Sequence, residues 1–220
     1  MKFDHPEIHN SLAYALLRKG DPDAVIGEAR VALNLQPNNA DMHVMLGMAL
    51  MTKGRLDEAI VQFSKALEIR PKLPDRFSPI GARPGIAGAA HYNLAIALTK
   101  KHETADAIAH YEKAIEAKPD FFQALTNLAW IFATSSDAAI RNGRKAVELA
   151  EEANRLTGDT SPLVLRTLAA AYATNNSFDK ALETSRRALQ SAQEQRNSEL
   201  AEAIRHEMSF YEASLPYHAP

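Results

Sequence analysis

Apolar positions return along this chain at a fixed interval. Leu12, Leu46, Leu94, Leu128 and Leu168 are separated by 34, 48, 34 and 40 residues. A column of small residues, Val25, Ala59, Ala107, Ala146 and Ala181, steps by 34, 48, 39 and 35. Pro37, Pro71 and Pro119 close three of these intervals, again 34 and 48 apart. Three landmarks therefore share one period and one excess of 14 residues (48 − 34) after the second copy. Such self-similarity is the signature of a repeat architecture. The spacing predicts five helix–turn–helix units over about 6–39, 40–73, 88–121, 122–160 and 162–195. An insertion loop is expected at 74–87 and a closing helix at 198–215.

The residue types suit that plan. Ala13, Gly47, Ala95, Ala129 and Ala169 follow the leucines, where one helix must approach its partner to about 8–10 Å. Phe63 and Tyr111 are expected to fill the space between neighbouring units. Gly20 and Gly54 stand at the turns inside the units, where positive φ is often needed. Each proline ends a helix, because it cannot continue one. The 74–87 segment holds three prolines and two glycines and reads as a surface loop, or as a flap carrying Phe77 and Ile80. In the fourth unit the turn A-T-S-S-D-A-A-I-R-N-G-R is about five residues longer than its counterparts and has room for one helical turn. At the C-terminus, Leu200, Ala203, Ile204, Met208, Tyr211 and Leu215 form one apolar stripe, with Asn197 or Ser198 as N-cap. One stripe is what a capping helix needs to close an array. The N-terminus shows no such cap and suggests further repeats upstream.

The unit at 43–71, with Leu46-Gly47, Ala59, Phe63, Ala66 and Pro71 in place, resembles a tetratricopeptide repeat (TPR), except that His43 replaces the leading Trp. The resemblance covers the chain to about Ser191 and implies an all-α, right-handed TPR superhelix, an α-solenoid. The second half, with L-T-N-L-A-W-I-F-A-T-S-S-D, R-N-G-R-K-A-V-E-L-A-E-E-A and L-R-T-L-A-A-A-Y-A, is similar to the C-terminal repeats of large bacterial TPR proteins. Some of those carry membrane glycosyltransferase-like regions. The likeness implies, as an alternative, a soluble accessory domain that positions an acceptor for a membrane-bound enzyme.

In TPR folds the first helix of each unit, helix A, lines a concave groove. Carried onto this sequence, the groove residues are Tyr14, Arg18, Met45, Met48, Tyr92, Asn93, Ile96, Asn127, Trp130 and Arg166. Asn93 and Asn127 precede the helix-A leucines, where the O-GlcNAc transferase superhelix is similar in carrying an asparagine ladder that grips peptide backbones. Ser11, Met45 and Thr167 hold that place in the other units, so the ladder is partial. The cationic clamp of chaperone-binding TPR domains is missing: its places hold Asn10, Tyr14, Met45, Ala89 and Asn93. Met42, Met45, Met48 and Met51 recur every third residue, and methionine suits a surface that accepts irregular apolar ligands.

Charge and chemistry narrow the function. Twenty-seven acidic and 25 basic residues give a net charge of −2, which offers no field for nucleic acid. There is no cysteine, so no disulfide or thiolate chemistry. No apolar run reaches the roughly 18–20 residues needed to span a bilayer. His9, His43 and His91 share one register, but units about 10 Å apart cannot bring them to a single ion. They read as replacements of an aromatic residue; neither metal nor cofactor is expected. No phosphate-binding loop, nucleophile motif or carboxylate pair is present, so no catalysis is expected. The sequence predicts a scaffold, cytoplasmic or periplasmic, that takes an apolar or amphipathic protein segment. A groove of about 40–50 Å would hold roughly 12–15 extended residues. The uncapped first unit also points to self-association.

Overall fold

Helices in this chain begin where a side chain can satisfy the free N–H groups of a first turn. Asp21, Asn39, Asn142 and Asn197 accept from the backbone N–H three residues on, at 3.1–3.2 Å. Pro6, Pro22 and Pro162 occupy first helical positions, where the missing N–H costs nothing. The computed structural model describes residues 5–69 and 85–219. Pro71, Phe77, Ile80 and nearly all of the expected 74–87 insertion lie outside them.

Among the described residues there are eleven α-helices and no strand. Five hairpins pair α1 (Pro6–Lys19) with α2 (Pro22–Leu35), α3 (Ala40–Thr52) with α4 (Leu56–Glu68), α5 (Ile86–Lys100) with α6 (Thr104–Ala117), α7 (Phe122–Thr134) with α8 (Gly143–Leu156), and α9 (Pro162–Thr174) with α10 (Phe178–Glu194). The last helix is α11 (Ser198–Glu212). The chain divides into two compact units, Met1–Pro119 and Asp120–Pro220.

In the first unit α1 packs on α3 and α3 on α5, while α2 and α4 each touch the helix A that follows. Ala13, Ala32, Met42 and Met45 form one buried cluster. Gly47 is needed because a Cβ there would lie 2.5 Å from Cε1 of the fully buried Phe63. The turns repeat as closely as the core. Gly20 and Gly54 sit at φ 78° and 74°, and His102 takes the aligned place of the third hairpin at φ 61°. An L-residue is strained there, and the sequence pattern of glycines did not reveal it. Lys53 reaches back to Asp23 at 2.9 Å and Lys101 to Asp57 at 2.7 Å, one strut per repeat step, all near the surface and worth little energy.

In the second unit α7 packs on α9, and α11 lies against α9 and α10. Leu165, Ala188, Ala192, Ala201 and Ile204 form one core cluster, and Ala169, Ala173, Ala181 and Tyr211 another. The long turn after α7 holds one hydrogen-bonded turn in which the Asp137 carbonyl accepts from the N–H groups of Ile140 and Arg141. The closing helix is shorter than the expected 198–215. It ends at Glu212, Ser214 turns left-handed at φ 56°, and Leu215 is 54% exposed. A helix cannot continue through that conformation.

Candidate functional site

The residue two places after each helix-A leucine is Tyr14, Met48 and Ile96 in the first unit, where the three form a column, and Trp130 and Ala170 in the second. In the first unit Tyr14 is 46% exposed, and Met48, Tyr92 and Ile96 are partly exposed. Arg18, one turn beyond Tyr14, is exposed. These side chains form an accessible, mainly apolar strip along α1, α3 and α5.

Other expected groove residues point inward or are engaged. Met45 is buried in the cluster with Ala13, Ala32 and Met42, packed between the first two hairpins. Asn93 is 8% exposed, and its amide donates to the Ala89 carbonyl at 2.8 Å, one turn back on its own helix. Thr126, Thr134 and Thr167 likewise donate to carbonyls four residues earlier. Such back-bonding is how a short polar side chain satisfies itself inside a helix. The asparagine-ladder place is thus closed at Asn93. Asn127 is partly buried on α7.

The histidine register also resolves into hairpin contacts. Each helix-A histidine meets the residue 19 places later on the second helix of its hairpin: His9 with Glu28 at 2.6 Å, His43 with Gln62 at 2.8 Å, His91 with His110 at 2.9 Å. His43 also reaches the Pro37 carbonyl at 3.0 Å. Burial and the neighbouring His110 and Lys113 push His91 down to about 4, and burial with Lys113 lowers His110. Among the described residues no group of three or more candidate ligands converges on a metal position.

In the second unit the helix-A face is covered by the chain itself. Arg166 grips Glu207 of α11 through Nε at 2.9 and 3.0 Å and Nη2 at 2.5 Å. Its guanidinium stacks 4.2 Å from the Trp130 ring centre. Glu207 is 3% exposed, and burial pushes its carboxyl above the usual range although the Arg166 bonds pull the other way. Tyr211, one turn on, keeps a buried hydroxyl with no hydrogen-bond partner. Past α11 the chain folds back: Tyr217 packs 6.2 Å from Trp130 and 5.6 Å from Phe210, and the Ala219 N–H donates to the Thr134 carbonyl at 2.9 Å. Trp130 and Arg166 stack on each other, with Glu207 and Tyr217 upon them. The signal in the sequence, a buried-face Glu and a tail tyrosine, was too distant to pair with them.

This geometry has known counterparts. Two tetratricopeptide-repeat models match the chain, one over residues 10–74 and one over 88–121. Those two stretches are tetratricopeptide repeats, and the hairpin array has the fold of tetratricopeptide-repeat proteins, the architecture of a protein-interaction scaffold. MamA from Desulfovibrio magneticus RS-1 is 18% identical, covers 86% of this chain and 96% of its own, and superposes with a TM-score of 0.65. YrrB, described as a TPR protein with an unusual peptide-binding site, is 17% identical over 93% of this chain and 94% of its own, TM-score 0.63. An O-GlcNAc transferase from Thermobaculum terrenum is 21% identical over 70% of this chain and 27% of its own, TM-score 0.55. At these identities the likeness is one of fold. No curated protein matches the chain. Among the described residues no helix is long and apolar enough to cross a membrane.

Proposed function

We propose that the first unit binds an apolar or amphipathic protein segment along the helix-A strip of Tyr14, Met48, Tyr92 and Ile96. The observation that carries this reading is the column itself: three successive helix-A positions present partly exposed apolar side chains, Tyr14, Met48 and Ile96. A helix or extended segment laid across such a strip would bury apolar area at about 25 cal/mol per Å². The cationic clamp that would select an acidic tail is missing, and the amide of Asn93 is spent within α5. Affinity along the strip would thus come from apolar contact more than from backbone gripping. The described peptide-binding site of YrrB, on the same fold, supports the assignment by analogy.

Met48→Glu and Ile96→Glu, made singly, should each weaken affinity capture of a partner by about tenfold or more. Val61→Glu on α4, where Val61 is 49% exposed, should not. Full capture by both helix-A variants would remove the reading.

A second reading, self-association, has its own observation. Ile8 and Leu12 of α1 are 55% and 43% exposed, whereas the aligned Met42 and Leu46 of α3 are 3% and 5% exposed beneath the first hairpin. A second copy would supply the cover that the following repeat receives. Light scattering that shows a monomer at millimolar concentration would dispose of it.

A further inference from the structure

The groove expected over Trp130 and Arg166 already has an occupant. After Ser214 the chain leaves α11 without helical structure and runs back over the helix-A face as Leu215–Ala219. Tyr217 seats its ring against Trp130 of α7 and His206 and Phe210 of α11, and packs on the cluster of Ala169, Ala173, Ala181 and Tyr211. Two residues on, the Ala219 N–H donates to the carbonyl of Thr134, the last residue of α7 and one turn beyond Trp130. The site is built rather than incidental. Arg166, fixed by Glu207, stacks on Trp130 and holds the indole in place. Alanines on α9 leave room for a ring, and a helix C-terminus leaves its carbonyls free to accept.

A bland account is that the tail merely finishes the last carbonyls of α7. That account requires a backbone donor at Ala219 and nothing of Tyr217. The ring packs on Trp130, which stands two places after the helix-A leucine of α7. Leu215 at 54% exposure contributes little to the hold, and Ser214 gives the strap a left-handed hinge.

We propose that the helix-A face of the second unit is a recognition site for an extended protein segment. Such a segment presents an aromatic residue to Trp130 and, two residues later, a backbone N–H to the Thr134 carbonyl. The C-terminal strap Leu215–Ala219 occupies this site in cis and must leave before a partner enters. The proposal rests on the reading of helix-A faces as binding surfaces and extends it to a self-occluded one. Tethering gives the strap an effective concentration in the millimolar range, so a free segment of equal quality competes only weakly until the strap is loosened.

The test uses the full chain and its single tryptophan, Trp130, as reporter. The probe is a synthetic hexapeptide of residues 215–220, Leu-Pro-Tyr-His-Ala-Pro, with a second version carrying Ala in place of Tyr. In the full-length Tyr217→Ala chain, shown folded by circular dichroism, the tyrosine peptide should shift Trp130 emission saturably towards that of the unaltered chain. The alanine peptide should not. Read as the anisotropy of the fluorescein-labelled tyrosine peptide, half-saturation should require at least about tenfold more of the unaltered chain than of the Tyr217→Ala chain. Ala219→Pro, which removes the backbone donor and leaves the ring, should also lower the midpoint, and it keeps the test open if Tyr217→Ala fails to fold. Equal midpoints in altered and unaltered chains, or no response to millimolar peptide, would overturn the proposal. A dimer of the unaltered chain that dissociates on Tyr217→Ala would do the same, by showing the strap exchanged between copies. Capture by the Met48→Glu variant reads the first unit alone, so the strap can fail while the apolar strip stands.

Discussion

Replacing Gly47 by Ala sets two effects of known size against each other. In the middle of α3 the substitution gains about 1 kcal/mol of helix propensity. Against this, the new Cβ would stand 2.5 Å from Cε1 of Phe63 and 2.8 Å from both Cδ1 and Cζ. Ordinary carbon contacts need about 3.5–4.0 Å, so the ring must retreat by roughly 1 Å. It has no free direction, because Phe63 is 0% exposed. Forcing a methyl into a packed core costs about 1–3 kcal/mol; with a ring that has nowhere to go the upper part of that range applies, so the net effect is a loss of up to about 2 kcal/mol. Gly27 is the control. It lies inside α2, and a Cβ there meets nothing within 4 Å, so Gly27→Ala should gain close to the full propensity term, about 1 kcal/mol. Urea unfolding should lower the midpoint for Gly47→Ala and raise it for Gly27→Ala, with slopes unchanged. Phe63→Leu should recover part of the loss on the Gly47→Ala background. Equal stabilisation by both glycine substitutions would refute the packing argument.

Three further outcomes follow from the geometry. Arg166→Met strands the buried Glu207 carboxylate and should cost about 3–5 kcal/mol in thermal or urea unfolding, whereas Arg166→Met with Glu207→Leu should regain most of it. His91 and His110 are held neutral against each other, so the folded chain binds fewer protons than the unfolded one below pH 6.5. Stability should therefore be complete above about pH 6.5 and fall by roughly 2 kcal/mol towards pH 4 for the partly solvated His91, a fall that His91→Phe should flatten. His102→Gly relieves a left-handed residue in the place of Gly20 and Gly54 and should raise the melting temperature, for a gain of about 0.5–1 kcal/mol.

What the sequence made legible was local or periodic. The 34-residue step, the small residues after the leucines and the cap at Asn197 are set by contacts within one hairpin or between adjacent ones. Gly47 illustrates this: its smallness shows in the pattern, while its partner Phe63, expected between neighbouring units, lies 16 positions away in the same hairpin. The candidate site was harder. Met45 and Asn93 carry the right residue types in the right register, but a helix offers its own carbonyl to Asn93 and the hairpin interface takes Met45. Side-chain direction, and not spacing, separates them from Met48 and Ile96. Arg166 meets Glu207 across 41 residues, and Tyr217 meets Trp130 across a strap with no periodicity at all. Such pairs follow from where α11 docks, which one apolar stripe does not specify.

The most direct measurement places a photo-crosslinking amino acid at Met48, at Ile96 or at Val61 of the full chain, in cells, and identifies the adducts by mass spectrometry. The binding account predicts one partner segment crosslinked at both helix-A positions and none at Val61. Adducts at Val61 with none at Met48 and Ile96 would contradict it.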